Sequence, residues 1–212
     1  MNLWKKQLGC VPDYVWERTE LETLVLADNG LTEVPEPIRR LKKLRMLDLG
    51  HNALTRVPDA LSELEGLTDF LYLHDNRLSS LPQSMGRLSR LRYLNISGNA
   101  FAELPESVCA MIALIELRAA DNQMSSLPES IGRLSRLREL HLRNNQLTTV
   151  PDTMGALQEL RQLDLRGNPL NHLPECLRTL PKLDKLDLRW VSSLQWPPWL
   201  GELEGRGCVV YR

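Results

Sequence analysis

A motif of 23 residues repeats along most of the chain, and this period constrains the fold more than any other feature of the sequence. One asparagine recurs in step with the period, at Asn29, Asn52, Asn76, Asn99, Asn122, Asn145 and Asn168. Successive asparagines are 23, 24, 23, 23, 23 and 23 residues apart. An apolar residue followed by proline recurs with the same spacing, from Val11-Pro12 to Trp196-Pro197. Such a period indicates one structural unit per repeat, with the units stacked side by side around a shared core.

The residues within one unit predict a short strand followed by a helical turn. Leu140 and Leu142 alternate with polar neighbours, which is the pattern of a strand with one buried face. Apolar residues then recur at every third position after Pro151, which favours an α-helical or 3₁₀ turn beginning at the proline. Asn145 falls where the chain leaves the strand, and its amide can both donate and accept hydrogen bonds. We therefore predict that the repeated asparagine satisfies backbone groups of the turn and links neighbouring units.

The unit L-x-x-L-x-L-x-x-N-x-L-x-x-L-P-x-x-I-x-x-L is clearest in residues 137–157. In this consensus the chain resembles the leucine-rich-repeat family, and it is similar to bacterial, Ras-associated and plant intracellular members of that family. The resemblance implies an α/β solenoid, a right-handed superhelix with a concave parallel β-sheet and convex short helical or 3₁₀ turns. It also predicts a single domain over 1–212, in which 1–20 form a partial capping repeat, 21–182 form seven full repeats and 183–212 form an atypical last repeat and cap.

The pattern changes at both ends of the chain and once in between. Lys6 and Val191 replace the asparagine in the first and last units, and the repeat count predicts a final edge strand at 208–211. The third repeat is one residue longer just before Phe70, which we interpret either as a bulge at the strand entrance or as a tolerated insertion. We interpret four tryptophans as packing on the end units: Trp4, Trp16, Trp196 and Trp199.

The side chains that flank the strand leucines point away from the core and are predicted to form columns across the concave sheet. These positions are apolar or aromatic in the N-terminal half, whereas the C-terminal half carries arginines with a histidine and a tryptophan. Exposed aromatic, methionine and arginine side chains are typical of protein interfaces. We predict ten partner-binding residues on this face: Met46, Phe70, Tyr72, Tyr93, Arg118, His141, Arg143, Arg166, Arg189 and Trp190.

The arginine column allows three interpretations. Arg143, Arg166 and Arg189 are successive in one column, roughly 5 Å apart by strand spacing, so they would repel one another unless they are paired. Acidic residues in the neighbouring columns could pair with them in a salt-bridge lattice. The arginines could instead form the rim of a site for an acidic partner segment, or they could bind phosphate or nucleic acid.

No motif in the sequence predicts catalysis. The chain has no Gly-rich phosphate-binding loop, no H-E-x-x-H and no G-x-S-x-G. His51, His74 and His141 lie on or near the predicted concave face with aspartates close by, and a His-Asp pair could bind a metal or act as a base. We interpret these histidines as unrelated surface residues, so we expect no catalytic residue, no metal site and no cofactor.

Charge and hydropathy narrow the class of partner and the compartment. The formal net charge of −1 gives no reason to expect nucleic acid binding or attraction to an anionic membrane. No apolar run approaches the roughly 20 residues of a membrane span, and the first residues lack the apolar run of a signal peptide. The four cysteines do not have the spacing of a metal site, and they do not form a disulfide cap at either end of the repeats. They are Cys10, Cys109, Cys176 and Cys208. We therefore expect a cytoplasmic protein, or one delivered into a host cytosol if it is a bacterial effector.

The sequence as a whole predicts a non-enzymatic scaffold for protein–protein interaction, which binds a macromolecular partner on its concave face and is itself a monomer. The alternative is a ligand-binding or enzymatic role for a phosphorylated ligand, which would use the concave arginines and His141.

Overall fold

The protein is described here by a computed structural model that covers residues 1–212. One parallel sheet contains nine three-residue strands in chain order, and each strand pairs with the next. The strands are β1 Thr23–Val25, β2 Met46–Asp48, β3 Phe70–Tyr72, β4 Tyr93–Asn95, β5 Glu116–Arg118, β6 Glu139–His141, β7 Gln162–Asp164, β8 Lys185–Asp187 and β9 Val209–Tyr211. The predicted α/β leucine-rich-repeat solenoid is confirmed.

Short helical turns return the chain from each strand to the next. Seven are 3₁₀ helices, at Asp13–Glu17, Glu36–Arg40, Asp59–Glu63, Gln83–Arg87, Glu129–Arg133, Asp152–Ala156 and Glu175–Thr179. Helix α1, Glu106–Cys109, takes the place of the 3₁₀ helix in one repeat, and α2, Leu200–Gly205, precedes β9. A proline stands immediately before α1 and before each 3₁₀ helix, as the sequence predicts, because the helix start needs no N–H from that residue.

Leucine side chains from successive repeats form one continuous core. The central residue of each strand from β1 to β8 is a buried leucine, and the buried apolar residues from Val11 to Cys208 form a single cluster. Each unit covers its neighbour's apolar surface, which no unit could bury alone.

The repeated asparagine bonds each repeat to the one before it, and its predicted role is confirmed. The Asn122 side-chain amide donates to the carbonyls of Ile96, at 3.1 Å, and Ala120, at 3.0 Å. Its oxygen accepts the N–H of Phe101 at 3.2 Å. Ile96 and Phe101 lie in the preceding repeat and Ala120 lies in the repeat of Asn122 itself. The amide therefore fixes the stacking of the two units as well as the shape of the turn.

The two ends of the solenoid are closed differently from the sequence-based expectation. Trp16 and Trp199 are buried against the end units, as predicted, but Trp4 and Trp196 are 56% and 46% exposed, so their predicted packing is wrong. Trp4 follows the inward-facing Leu3 and therefore points outward, beside Lys5. Trp196 lies against the guanidinium of Arg212, 5.8 Å from its ring, instead of against the core.

The predicted last strand is present as β9, one residue out of step with a strict 23-residue count. Val210 pairs opposite Leu186, so Val210 takes the central strand position and Tyr211 lies on the exposed side of the sheet. The count missed this because the last unit, like the third repeat, is one residue longer than the usual 23.

The extra residue of the third repeat is accommodated at the strand entrance, as the bulge interpretation predicts. The N–H groups of Arg92 and Tyr93 bond to two different carbonyls, those of Thr68 and Asp69, whereas the matching N–H groups of the next repeat share the carbonyl of Arg92. Strand β3 nevertheless stays in register with both of its neighbours. The Asp69 carboxylate bonds to Arg45 Nε at 3.1 Å and to Arg92 Nη2 at 2.7 Å. The additional residue therefore places a carboxylate between two arginines of adjacent repeats.

We expect Asn122→Ala to lower the free energy of unfolding by about 1–3 kcal/mol, because it leaves buried backbone groups of two repeats without partners. Urea denaturation followed by circular dichroism measures the change. Gln123→Ala is the control, since that neighbouring side chain is exposed. An Asn122→Ala midpoint equal to that of the control would contradict a stabilising role for the asparagines.

Burial alone would raise the pKa of Asp69, but hydrogen bonds from Arg45 and Arg92 outweigh burial and hold it below its ordinary value. A carboxyl whose pKa is lowered on folding stabilises the protein above its unfolded pKa, and this contribution is lost as pH falls through the folded pKa. We expect Asp69→Asn to cost about 0.5–1.5 kcal/mol near neutral pH and progressively less below about pH 4.

Urea midpoints of wild type and Asp69→Asn across this pH range test the expectation. Asp184→Asn, which removes a more exposed ion pair with Arg161, is the matched control and should cost less. A wild-type advantage that persists unchanged into strong acid would rule out ionised Asp69 as its source.

Candidate functional site

The exposed side of the parallel sheet, called here the sheet face, consists of the first and third residues of every strand and the turn residues that follow. In-register pairing aligns these residues into columns across the repeats. Met46, Phe70 and Tyr93 are partners in one column, and Asp48, Tyr72 and Asn95 are partners in another. The columns predicted from the sequence are therefore present, because each central leucine faces the core and forces both neighbours outward.

Three rings make up the aromatic cluster of the sheet face: Phe70, Tyr72 and Tyr93. Their centroids lie 6.0 Å apart for Phe70 and Tyr72, 5.4 Å for Phe70 and Tyr93, and 5.0 Å for Tyr72 and Tyr93. Phe70 is 42% exposed although it belongs to the sheet. Burial raises the pKa of Tyr93 to about 12, so its phenol remains a hydrogen-bond donor at neutral pH. Met46 pairs next to Phe70 and extends the cluster.

The middle of the sheet face carries a network of ion pairs. Arg118 Nε lies 2.5 Å from a Glu116 carboxylate oxygen. His141 Nε2 lies 3.3 Å from Glu139 Oε2 and 3.8 Å from Glu116 Oε1. In the following column, Arg143 Nη2 lies 2.9 Å from an oxygen of Asp121.

The C-terminal arginines are held by two-point contacts to carboxylates. Arg166 donates to Asp164 from Nε at 2.8 Å and from Nη2 at 2.6 Å. Arg189 donates to Asp187 in the same way at 2.9 and 2.8 Å, and Arg166 Nε also lies 3.4 Å from Asp187. Burial alone would raise the pKa of Asp187, but the hydrogen bonds from Arg189 and the nearby Arg166 hold it below its ordinary value. The arginines of this column are therefore paired with neighbouring carboxylates, as the salt-bridge interpretation predicts. Their role in binding a partner stays a prediction.

A third group lies at the C-terminal end of the face. The guanidinium of Arg189 is 5.0 Å from the Tyr211 ring and 5.9 Å from the Trp190 ring, and the Lys185 ammonium is 5.4 Å from Tyr211. Tyr211 is absent from the sequence-predicted set because the strict repeat count put it one residue out of step. Its place on the face could have been found only by recognising that the last unit is longer.

The ten predicted residues thus lie in three neighbouring groups along the face, two of which are linked through Asp187, and they do not converge on one pocket. Arg118, His141, Arg143 and Arg166 line a shallow depression of about 260 Å³. Met46 and the aromatic cluster lie toward the N-terminal end, and Arg189 with Trp190 lies toward the other end. The depression is slightly smaller than the roughly 300–1,000 Å³ of typical small-molecule sites.

The backbone conformation explains which residue types occupy the turn column that follows the strands, and the repeat pattern alone does not reveal it. The residues of this column adopt the left-handed conformation, with φ between 50° and 66°, at Asp28, His51, Asp75, Gly98, Asp121, Asn144, Gly167 and Trp190. Glycine, asparagine and aspartate tolerate this conformation best, which accounts for most of the column. Trp190 is the bulkiest exception, with φ of 61° and a side chain that is 71% exposed.

Two clusters of metal-ligating side chains also lie on the sheet face. One consists of His51, His74 and Asp75, and the other of Glu116, Glu139 and His141. In each cluster one ligand atom per residue can be chosen so that all of them lie within 4.8 Å of one another. The sequence predicts that these histidines lie near the face, but it does not give the side-chain directions that bring them together with the carboxylates.

Sequence models of leucine-rich repeats match most of the chain. The model described as "Leucine rich repeat" matches residues 19–70 and 135–190, and a single-repeat model matches residues 90–111. A model described as "Leucine Rich repeats (2 copies)" matches residues 112–153. No curated protein matches the chain. No helix of the protein combines the length and the apolar character needed to cross a bilayer.

Solved structures with similar folds include bacterial and plant proteins. A leucine-rich-repeat protein of Leptospira interrogans is 24% identical over 96% of this chain, with a TM-score of 0.73. The plant peptide hormone receptor RGFR1, solved in complex with RGF2, is 35% identical over 90% of this chain, with a TM-score of 0.77. The ectodomain of the receptor kinase GASSHO1/SCHENGEN3 from Arabidopsis thaliana, solved with CASPARIAN STRIP INTEGRITY FACTOR 2, is 30% identical over 91%, with a TM-score of 0.69. This chain covers 63%, 32% and 27% of those three chains respectively.

We expect Trp190→Asn to raise the free energy of unfolding by about 0.5–1 kcal/mol, because asparagine tolerates the left-handed conformation that tryptophan adopts only at a cost. Asn144 already occupies the same turn position. Urea denaturation measures the change, and Trp4→Asn is the control, since Trp4 is also exposed but has no positive φ. A clear loss of stability in Trp190→Asn would show that the ring makes a structural contact instead.

Proposed function

Since this chain belongs to the leucine-rich-repeat family, we propose that it is a binding scaffold whose sheet face receives a protein or peptide partner. The aromatic cluster is the observation that carries the proposal. Its rings contact one another on the exposed side of the sheet, where they add nothing to the leucine core. An exposed group of apolar and aromatic side chains is a common mark of an interaction site.

The aromatic cluster would supply the anchor of the interface. Phe70 offers an exposed ring, and the phenols of Tyr72 and Tyr93 combine apolar area with a hydrogen-bond donor. Residues of this type dominate the binding energy of protein interfaces when a partner removes them from water. Met46, beside Phe70, adds an adaptable apolar contact.

The ion-paired half of the face would supply orientation and specificity. Arg166 and Arg189 each use two donors on a carboxylate, and a guanidinium has five N–H donors in all. The remaining donors are held in fixed directions, so an acidic segment of the partner would meet arginines that are already ordered. The paired carboxylates cancel much of the positive charge of the arginines. The arginines would therefore orient a partner through directed hydrogen bonds more than attract it over long distances.

The dimensions of the face favour a long ligand. Nine parallel strands at a spacing of about 4.8 Å span roughly 38 Å between the first and last strands. An extended peptide or a folded surface can contact the aromatic cluster, the depression and the C-terminal group together, whereas a metabolite cannot. The plant peptide hormone receptor noted above provides support by analogy of fold only.

A phosphorylated ligand is the weaker candidate. The depression that contains Arg118, His141 and Arg143 is also lined by Asp121 and Asp164, whose negative charges oppose an anionic group. We therefore propose a non-enzymatic role and expect no catalytic residue or cofactor in it.

We further propose that the protein acts as a monomer in the cytoplasm, or in a host cytosol if it is a bacterial effector. All four cysteines are free, and the exposed Cys10 thiol fits a reducing compartment. A formal charge of −1 offers no general attraction for nucleic acid or an anionic membrane.

We expect Tyr93→Ala to reduce the yield of partners captured from a cytosolic extract by about tenfold or more, because an aromatic anchor contributes about 2 kcal/mol or more when truncated. Quantitative mass spectrometry of proteins captured on the immobilised chain provides the measurement. Tyr14→Ala is the matched control, since that exposed tyrosine belongs to the first 3₁₀ helix and lies off the sheet face.

A second pair of variants tests the polar half of the face. Arg118→Gln should weaken capture, whereas Arg133→Gln, at an exposed arginine in a 3₁₀ helix, should not. Arg166 is a poorer choice because its replacement leaves the buried Asp187 short of a partner. Capture that is unchanged in both Tyr93→Ala and Arg118→Gln would reject the sheet face as the binding surface.

A further inference from the structure

We propose that His51, His74 and Asp75 form a binding site for a divalent transition-metal ion such as Zn²⁺ on the sheet face, beside the aromatic cluster. One ligand atom from each residue lies within 4.8 Å of the others. Two imidazole nitrogens and one carboxylate oxygen are a ligand set that suits Zn²⁺, Co²⁺ or Ni²⁺, whereas Mg²⁺ and Ca²⁺ prefer oxygen ligands alone.

The separation of two of the ligands already fits a tetrahedral ion. His51 Nδ1 lies 3.2 Å from Asp75 Oδ2. Ligands about 2.0–2.2 Å from zinc at tetrahedral angles are roughly 3.3–3.6 Å from one another, so only a small adjustment is needed. His51 and Asp75 occupy the same left-handed turn position in successive repeats, with φ of 51° and 50°, so the stacking of the repeats places the two residues side by side.

His74 has one ring nitrogen without a hydrogen-bond partner. Its ring lies 4.7 Å from the His51 ring, and its Nδ1 is buried without a hydrogen-bond partner. Gly50 makes room for the ring, because a Cβ built there would approach the imidazole atoms to 2.4–2.8 Å. A buried polar atom without a partner destabilises the fold, so a rotation of the ring that gave this nitrogen a bond to a metal would remove that cost.

The second cluster provides an internal comparison. Glu116, Glu139 and His141 satisfy the same distance condition, but the Arg118 guanidinium lies 2.5 Å from Glu116 and already supplies the positive charge. Asp75 has no lysine or arginine partner, and its only ion-pair contact is with His51. An added dication should therefore prefer the first cluster to the second.

A metal at this position would leave one coordination position open toward solvent. The side chains of His51 and Asp75 are 56% and 50% exposed, and the Tyr72 ring lies 5.9 Å from the His74 ring. Three protein ligands leave the fourth tetrahedral position for water or for a side chain of a partner. The metal site itself does not depend on the proposed scaffold function, because the ion alone can be titrated.

The test is a titration of chelator-treated protein with Zn²⁺ by calorimetry, and with Co²⁺ by visible absorption. We expect saturable binding of one ion per chain, with the intense absorption of tetrahedral cobalt. His74→Ala and His51→Gly should each weaken the affinity by at least about tenfold, since even second-shell partners of a metal cost 10–100-fold. Both variants should fold, because Ala120 and Gly98 occupy the equivalent positions in other repeats, and urea midpoints check this.

His141→Asn is the matched control, because it removes a histidine from the second cluster and Asn95 occupies the same column. Its affinity for Zn²⁺ should equal that of wild type. Binding that survives both His74→Ala and His51→Gly, or binding that His141→Asn abolishes, would overturn the proposal. Weak binding of several ions without saturation would do the same.

Discussion

The hydrogen bonds of the repeated asparagine amide are the interactions on which the rest of the structure depends. Leucine burial supplies most of the driving force, but it is nearly indifferent to small sliding movements between units, because hydrophobic contact has no direction. The amide of Asn122 has direction, since it bonds a carbonyl and an N–H of the preceding repeat and a carbonyl of its own turn. Between the units that carry the asparagine, those bonds hold the strands in register and so keep the surface columns aligned.

The strands, the turns and the surface columns could all be read from the sequence, because each depends on a period that local physical chemistry enforces. Leu140 faces the core because it is the apolar residue of an alternating strand, and Pro151 immediately precedes a 3₁₀ helix because a helix start needs no N–H from that residue. The contacts between columns could not be read in the same way. Arg166 has several carboxylates within reach, and only its rotamer decides that it grips Asp164 and also approaches Asp187. The meeting of His51 with His74 was missed for the same reason.

The strict 23-residue count gives the wrong position for a residue wherever a unit has a different length. The third repeat tolerates an extra residue because the strand entrance absorbs it, and Asp69 is then held between two arginines. The last unit is also longer, which turns Tyr211 to the exposed side beside Arg189. Each longer unit thus adds one side chain to the surface, Asp69 in the third repeat and Tyr211 in the last unit. The positions where the period changes therefore help to predict the surface.

Because the strands pair in register, the distance between two binding groups on this face is a whole number of strand spacings. Duplication or deletion of one repeat would change the distance between two binding groups by one strand spacing, about 4.8 Å. Since the boundaries between the seven asparagine-containing units are bridged in the same way, such an event leaves the contacts of the core unchanged while it shifts the aromatic cluster relative to the arginines. The architecture thus works as a molecular ruler, in which evolution can adjust the spacing between two recognition elements without redesigning either of them.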